Sequence, residues 1–305
     1  MTVSVSSRHW TGRAALLALS VVSLAACSTP APAQAPATPS AAIAFATDGR
    51  ADFEQLERTF GARLGVYAVD TATGREVAFR ADERFAYAST HKVFTAGGVL
   101  QRTPIAELDQ TVTYSRQDVV TGSPVTEKHA GTGMSLRAVM DATLRYSDNT
   151  GGNLLFRELG GPAGLTSVLR GIGDTTTHVD RIETELNDTA PGDIRDTSTP
   201  RALAVSLRAF ALGDVLPEDK RKILVDIMRG NTTGDANIRA GVPGWPVADK
   251  TGTASYGTRN DIAVVWPPNR APIVLAVLTD RSTKDAKIDN ALLARATAAT
   301  VKLLP

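Results

Sequence analysis

The chain has 305 residues, 43% of them apolar and 21% charged, which is the make-up of a globular protein with room for one large or two interlocked domains. Its 33 basic and 32 acidic residues nearly cancel, so charge gives no reason to expect a nucleic-acid partner. One cysteine excludes an internal disulfide.

In chain order, Arg8 and Arg13 precede an apolar run from Ala14 to Ala26. The run is too short to span a bilayer and suits the apolar segment of an export signal, here residues 1–26. It ends in Leu24-Ala25-Ala26-Cys27, the pattern of a bacterial lipobox. Cys27 is therefore expected to be lipidated after cleavage, with an incidental cysteine behind a plain signal as the alternative. Residues 27–48 are rich in Ala, Pro, Ser and Thr and read as a flexible tether. The expected location is periplasmic or extracellular, with membrane contact only through the lipid. Past the signal only His91, His129 and His178 remain, without the paired spacing of a zinc site, and no metal or other cofactor is expected.

Asp52 to Arg63 repeats apolar residues at helical spacing through Phe53, Leu56 and Phe60. Leu64 to Val69 reads as a strand, Thr73-Gly74 as a turn, and Arg75 to Phe79 as its hairpin partner. From about Ser89 to Arg229 the pattern is mostly helical, as in Val139–Tyr146, Leu203–Leu212 and Arg221–Met228. Asp261–Trp266 and Ile273–Leu278 form a second predicted hairpin around Pro267-Pro268-Asn269-Arg270, and Asp285–Leu303 a closing helix. Strands at both ends with helices between them predict an α+β fold. Its antiparallel sheet is built from the two termini (residues 49–86 and 235–305), flanked by helices, with an all-α domain (87–234) inserted.

Three short motifs carry chemistry. Ser89-Thr90-His91-Lys92 sets an amine three residues after a hydroxyl, on one helix face if the segment is helical. A serine needs such a base within about 3 Å to act as a nucleophile. Alone, such a pair reads better as a helix cap and a solvated lysine, and its companion motifs reverse that. Ser147-Asp148-Asn149 offers a hydroxyl and an amide, with Asp148 tying the turn. Lys250-Thr251-Gly252-Thr253 offers a cation and two hydroxyls for a carboxylate, on a strand where Gly252 permits close approach. Between the last two lies Glu183, with Asn187 four residues on.

The three motifs in this order are the signature of class A β-lactamases and penicillin-binding proteins, and from about Asp52 onward the chain resembles a class A serine β-lactamase. Ser123-Pro124-Val125-Thr126-Glu127-Lys128, Asn231-Thr232-Thr233-Gly234 and Asn260-Asp261-Ile262-Ala263-Val264-Val265-Trp266 add to the likeness. The resemblance implies a β-lactamase/transpeptidase-like fold with its site in a cleft, a monomer, and β-lactam antibiotics, penicillins and cephalosporins, as substrates. Ser89 is then the nucleophile, with Lys92 or Glu183 the base in acylation. Ser147 relays a proton to the departing nitrogen, and Asn149 bonds the substrate's acylamino group. Lys250, Thr251, Thr253 and Arg259 hold its carboxylate, and the amides of Ser89 and Thr253 form an oxyanion hole. Glu183 activates the deacylating water that Asn187 helps to hold. Two departures stand out: Thr184 where proline is common, and Gly122 where an aromatic residue often walls the cleft. His91, where phenylalanine is frequent, reads as a packing variation. A D,D-peptidase or a β-lactam sensor would share Ser89, Lys92, Ser147 and Lys250 but has no need of Glu183 and Asn187.

Overall fold

A computed structural model describes residues 49–304, so the readings for the signal segment, the tether and Cys27 lie outside the described residues. Helix α1 (Arg50–Phe60) turns its Phe53 side inward and stops at Gly61, whose left-handed φ of 55° ends the helix before the expected Arg63. Strands β1 (Arg63–Asp70) and β2 (Glu76–Phe79) follow as the predicted hairpin. The chain continues through β3 (Phe85–Ala86) and a 3-10 turn at Ala88–His91 into α2 (Lys92–Arg102). Next come β4 (Thr111–Val112), β5 (Met134–Ser135), α3 (Leu136–Arg145), α4 (Asn149–Leu159) and α5 (Pro162–Gly171). After a long irregular stretch come β6 (Thr197–Ser198), α6 (Pro200–Ala211), α7 (Glu218–Arg229) and α8 (Ile238–Gly241). The chain closes with β7 (Val247–Ala254), β8 (Thr258–Val265), β9 (Ile273–Asp280) and α9 (Asn290–Lys302).

The sheet runs β2-β1-β9-β8-β7, all antiparallel, so the two termini do meet in one sheet, with β1 against β9. Period-2 alternation sorts its side chains into two cores. Tyr67, Val69, Ile262, Val264 and Ala276 face the helices of the middle of the chain. Val66, Ala68, Ala263, Val265 and Val277 face Phe53 of α1 and Leu292, Leu293 and Ala296 of α9. Buried on both faces, β9 and the second half of β8 (residues 262–265) read as apolar runs, while the first half of β8 and the edge strand β7 carry the polar residues Arg259 and Lys250-Thr251. Helix α9 begins at Asn290 and not at Asp285, because the Asp289 side chain accepts from the Ala291 amide and caps it there. No described helix is long and apolar enough to cross a membrane.

Candidate active site

Ser89 lies in the 3-10 turn ahead of α2, not on the α-helix that the spacing predicts. The tighter turn still brings the pair together, since Lys92 Nζ donates to Ser89 Oγ at 2.9 Å. Ala88, just before, takes a left-handed φ of 50°, which re-aims the chain where it enters the cleft. Lys92 is fully buried and also donates to the Ser147 carbonyl at 2.8 Å and to Asn149 Oδ1 at 2.6 Å. Burial lowers the pKa of its ammonium, while the nearby Glu183 carboxylate opposes that shift. An amine so placed can take a serine proton.

The turn after α3 presents the second motif. Ser147 has a left-handed φ of 57°, and Asp148 caps α4 by accepting from the Gly151 amide at 2.8 Å. Asp148 also accepts from the Val125 and Thr126 amides and from Thr126 Oγ1, a knot fully buried among backbone donors that fits its structural reading. Asn149 Nδ2 donates to the Thr121 carbonyl at 2.8 Å, which leaves one of its two protons for another acceptor. Gly122 is left-handed at φ 80°, and a Cβ there would sit 2.7 Å from Asn149 Nδ2, so this backbone accounts for the missing aromatic side chain.

Strand β7 forms the opposite wall. Fully buried Lys250 donates to Ser147 Oγ at 2.9 Å and to the Thr251 carbonyl at 2.8 Å. Burial, with the charge of Lys92 adding to it, holds its pKa well below that of a free lysine. Gly252 packs on the serine turn so closely that a Cβ would lie 2.8 Å from the Tyr87 carbonyl and 3.2 Å from the Ser89 amide nitrogen. Register pairs Thr253 with Arg259 on β8, and the guanidinium donates to Thr253 Oγ1 at 2.9 Å. Its other bonds, to Asn290 Oδ1 and the Thr233 carbonyl, fix the fork in place. Thr251 Oγ1 meets Thr233 Oγ1 at 2.6 Å.

The stretch before β6 supplies the carboxylate. Glu183 is 2% exposed and Oε1 accepts from Ser89 Oγ at 3.1 Å, with Lys92 Nζ 2.9 Å away. Asn187 Nδ2 donates to Oε2 at 2.6 Å. Desolvation pushes the Glu183 pKa up, but the Lys92 charge and the His91 contact outweigh it and hold the carboxyl well below its ordinary range. The loop is tied at its base by Arg181 Nε, which donates to Asp196 Oδ2 at 2.6 Å, and Asp196 Oδ1 takes the Asp180 and Arg181 amides and the Tyr87 hydroxyl. The Glu183–Thr184 peptide is cis without a proline.

Ser89, Lys92, Ser147, Asn149, Glu183, Asn187, Lys250, Thr251, Gly252, Thr253 and Arg259 thus gather in one contact network around Ser89. Sequence reasoning missed Asn153, whose side chain grips the backbone of Glu183 on both sides: Nδ2 donates to the Glu183 carbonyl at 2.7 Å and Oδ1 accepts its amide at 2.9 Å. Its position four residues after Asn149, on the same face of α4, was the available signal. Asn290, which steadies Arg259, had no such signal.

Comparison with known proteins agrees. The family model described as "Beta-lactamase enzyme family" matches residues 50–304. A β-lactamase of Bacillus amyloliquefaciens is 60% identical over 80% of each chain, and one of Bacillus licheniformis 54% identical over 95% of this chain and 94% of its own. The crystal structure of a class A β-lactamase from Clostridium kluyveri superposes with a TM-score of 0.82 at 50% identity, covering 84% of this chain and 98% of that one. With its matching motifs gathered around Ser89 on the same fold, the chain belongs to the β-lactamase enzyme family, class A.

Proposed function

We propose that this β-lactamase opens the strained amide of penicillins and cephalosporins through an acyl-Ser89 intermediate. Ser89 Oγ attacks the lactam carbonyl as its proton passes to Lys92 or Glu183, both within 3.1 Å. The amides of Ser89 and Thr253 hold the oxyanion. When the C–N bond breaks, the nitrogen takes the proton of Ser147 Oγ, Lys250 Nζ replaces it across 2.9 Å, and the proton taken from Ser89 leaves the base to restore Lys250, so that Glu183 is a carboxylate again before deacylation. Glu183 then draws a proton from a water steered by Asn187, the water attacks the ester carbonyl, and Ser89 is released with its proton restored.

One observation carries the hydrolytic reading over slow acylation: the Glu183 carboxylate is aimed at Ser89 Oγ from 3.1 Å and held from its far oxygen by Asn187. A D,D-peptidase or sensor has no need of that pair. The test is intact-protein mass together with penicilloate release, using residues 28–305 and excess benzylpenicillin. Many equivalents of penicilloate with return to the free mass support the reading, and arrest as a one-to-one adduct overturns it.

Arg259, with Lys250, Thr251 and Thr253, is the proposed seat for the substrate carboxylate, and Asn149 for its acylamino group. Removing a charge-assisted bond in Arg259→Ala should lower kcat/KM for benzylpenicillin by roughly 10- to 100-fold, mainly through KM. Unchanged steady-state kinetics would place the carboxylate elsewhere.

For location, we propose export on the signal in residues 1–26 and anchoring by a lipid on Cys27, supported by the Leu24-Ala25-Ala26-Cys27 pattern and the absence of a second cysteine. Cys27→Ser should lose membrane association on fractionation. Distribution identical to wild type sinks the lipid anchor.

A further inference from the structure

His91 sits between the two reactive residues of the first motif, yet its ring points into the core and is 1% exposed. It stacks on Phe156 of α4, with centroids 4.9 Å apart and planes 21° off parallel, and lies 5.7 Å from the Tyr87 ring. Its two nitrogens reach opposite ways. Nδ1 is 3.0 Å from Thr95 Oγ1, one turn along α2, and Nε2 is 3.4 Å from Glu183 Oε1.

The partners choose the tautomer. A carboxylate oxygen can only accept, so a bare Nε2 would face it lone pair to lone pair, and the ring proton belongs on Nε2. Nδ1 is then an acceptor and takes the Thr95 hydroxyl proton in preference to the His91 carbonyl, 3.1 Å from the same oxygen. The result is a one-directional chain from Thr95 through His91 to the Glu183 carboxylate.

We propose that His91 is a positioning residue for the general base, its Nε2–H held against Glu183 Oε1 from the core by the ring's stack on Phe156. The role rests on the reading of Glu183 as the deacylating base. Helix α4 then fixes Glu183 twice, through Asn153 on its backbone and through Phe156 behind the imidazole. Phenylalanine could fill the same space and stack in the same way, but it has no proton to donate.

The charged and titratable groups facing the imidazole are Glu183 from the loop, Lys92 from α2, Lys250 from β7 and the Tyr87 hydroxyl-bearing ring beside it. Burial first, and then the two lysines, lower the His91 pKa against the pull of Glu183. Both shifts that lower it favour the neutral ring, which still donates through Nε2. A donor to the ionised carboxylate favours its charged form, so losing it raises the Glu183 pKa. The acid limb of deacylation should then move to higher pH.

The test compares wild type with His91→Phe and His91→Gln, whose amide Nε2 can stand near the lost imidazole nitrogen. Acylation and deacylation by benzylpenicillin are measured separately from pH 4 to 9, alongside thermal melting. For His91→Phe the expected result is slower deacylation by about tenfold, with acylation changed far less, and an acid limb displaced to higher pH. His91→Gln should recover part of both. An unmoved acid limb in His91→Phe, equal losses in both steps following a lowered melting temperature, or glutamine behaving no better than phenylalanine each overturns the proposal. If Glu183→Ala itself deacylates normally, the failure lies in the assignment of the base and not in the His91 contact.

Discussion

Glu183→Ala is expected to trap the enzyme on its first substrate. With the carboxylate gone, the acceptor proposed to draw a proton from the attacking water is lost, and deacylation should fall by about 10²- to 10⁴-fold. Acylation should suffer less. Lys92 keeps Ser89 Oγ, the Ser147 carbonyl and Asn149 Oδ1 as partners. The larger of the charges that raise its pKa is also lost, so burial acts against Asp148 alone and the neutral, basic form of the amine gains. Intact mass after mixing with benzylpenicillin should show a persistent adduct and about one equivalent of penicilloate at most. The rate of adduct formation also bears on the first proton transfer: near-wild-type acylation favours Lys92, and a matching collapse favours Glu183. Turnover at the wild-type rate would remove Glu183 from the mechanism altogether.

Ser89→Ala should do more, because no later step can occur without the ester. A loss of turnover on the order of 10⁴-fold or greater, with no mass adduct at any time, is the expected result. Non-covalent binding should persist, since Lys250, Thr253 and Arg259 are held by bonds that do not involve Ser89. A variant that still forms a covalent adduct would carry its nucleophile at another position.

Much of the architecture was legible because it rests on short-range regularities. Alternation in β1 and β2, the apolar runs of β9 and the second half of β8, and helical periods in α3, α6 and α7 each follow from which face is buried. The motifs were legible for a different reason: each packs its chemistry into three or four adjacent residues. What the sequence hid is chiefly long-range. Ser89 and Glu183 are 94 residues apart, and their meeting depends on distant ties such as Asn153, on a third element, which clamps the Glu183 backbone. His91 likewise reads as packing until its neighbour across 92 residues is known. Local errors had local causes, namely the 3-10 turn at Ser89, the Gly61 stop of α1 and the Asp289 cap of α9.

In the proposed mechanism the two halves of the reaction are mounted on supports of unequal firmness. Ser89, Lys92, Ser147, Lys250 and Arg259 belong to a packed turn, helices and a five-stranded sheet, while Glu183 and Asn187 ride on a loop secured by Asp196, Asn153 and the buried Leu186. Segments with few buried contacts open at lower free energy than the core that carries them. On warming, or in mild denaturant, the capacity to release product should therefore fail before the capacity to bind and acylate. A partly loosened molecule becomes a scavenger that consumes one antibiotic per protein, so resistance fades by degrees while the fold still stands.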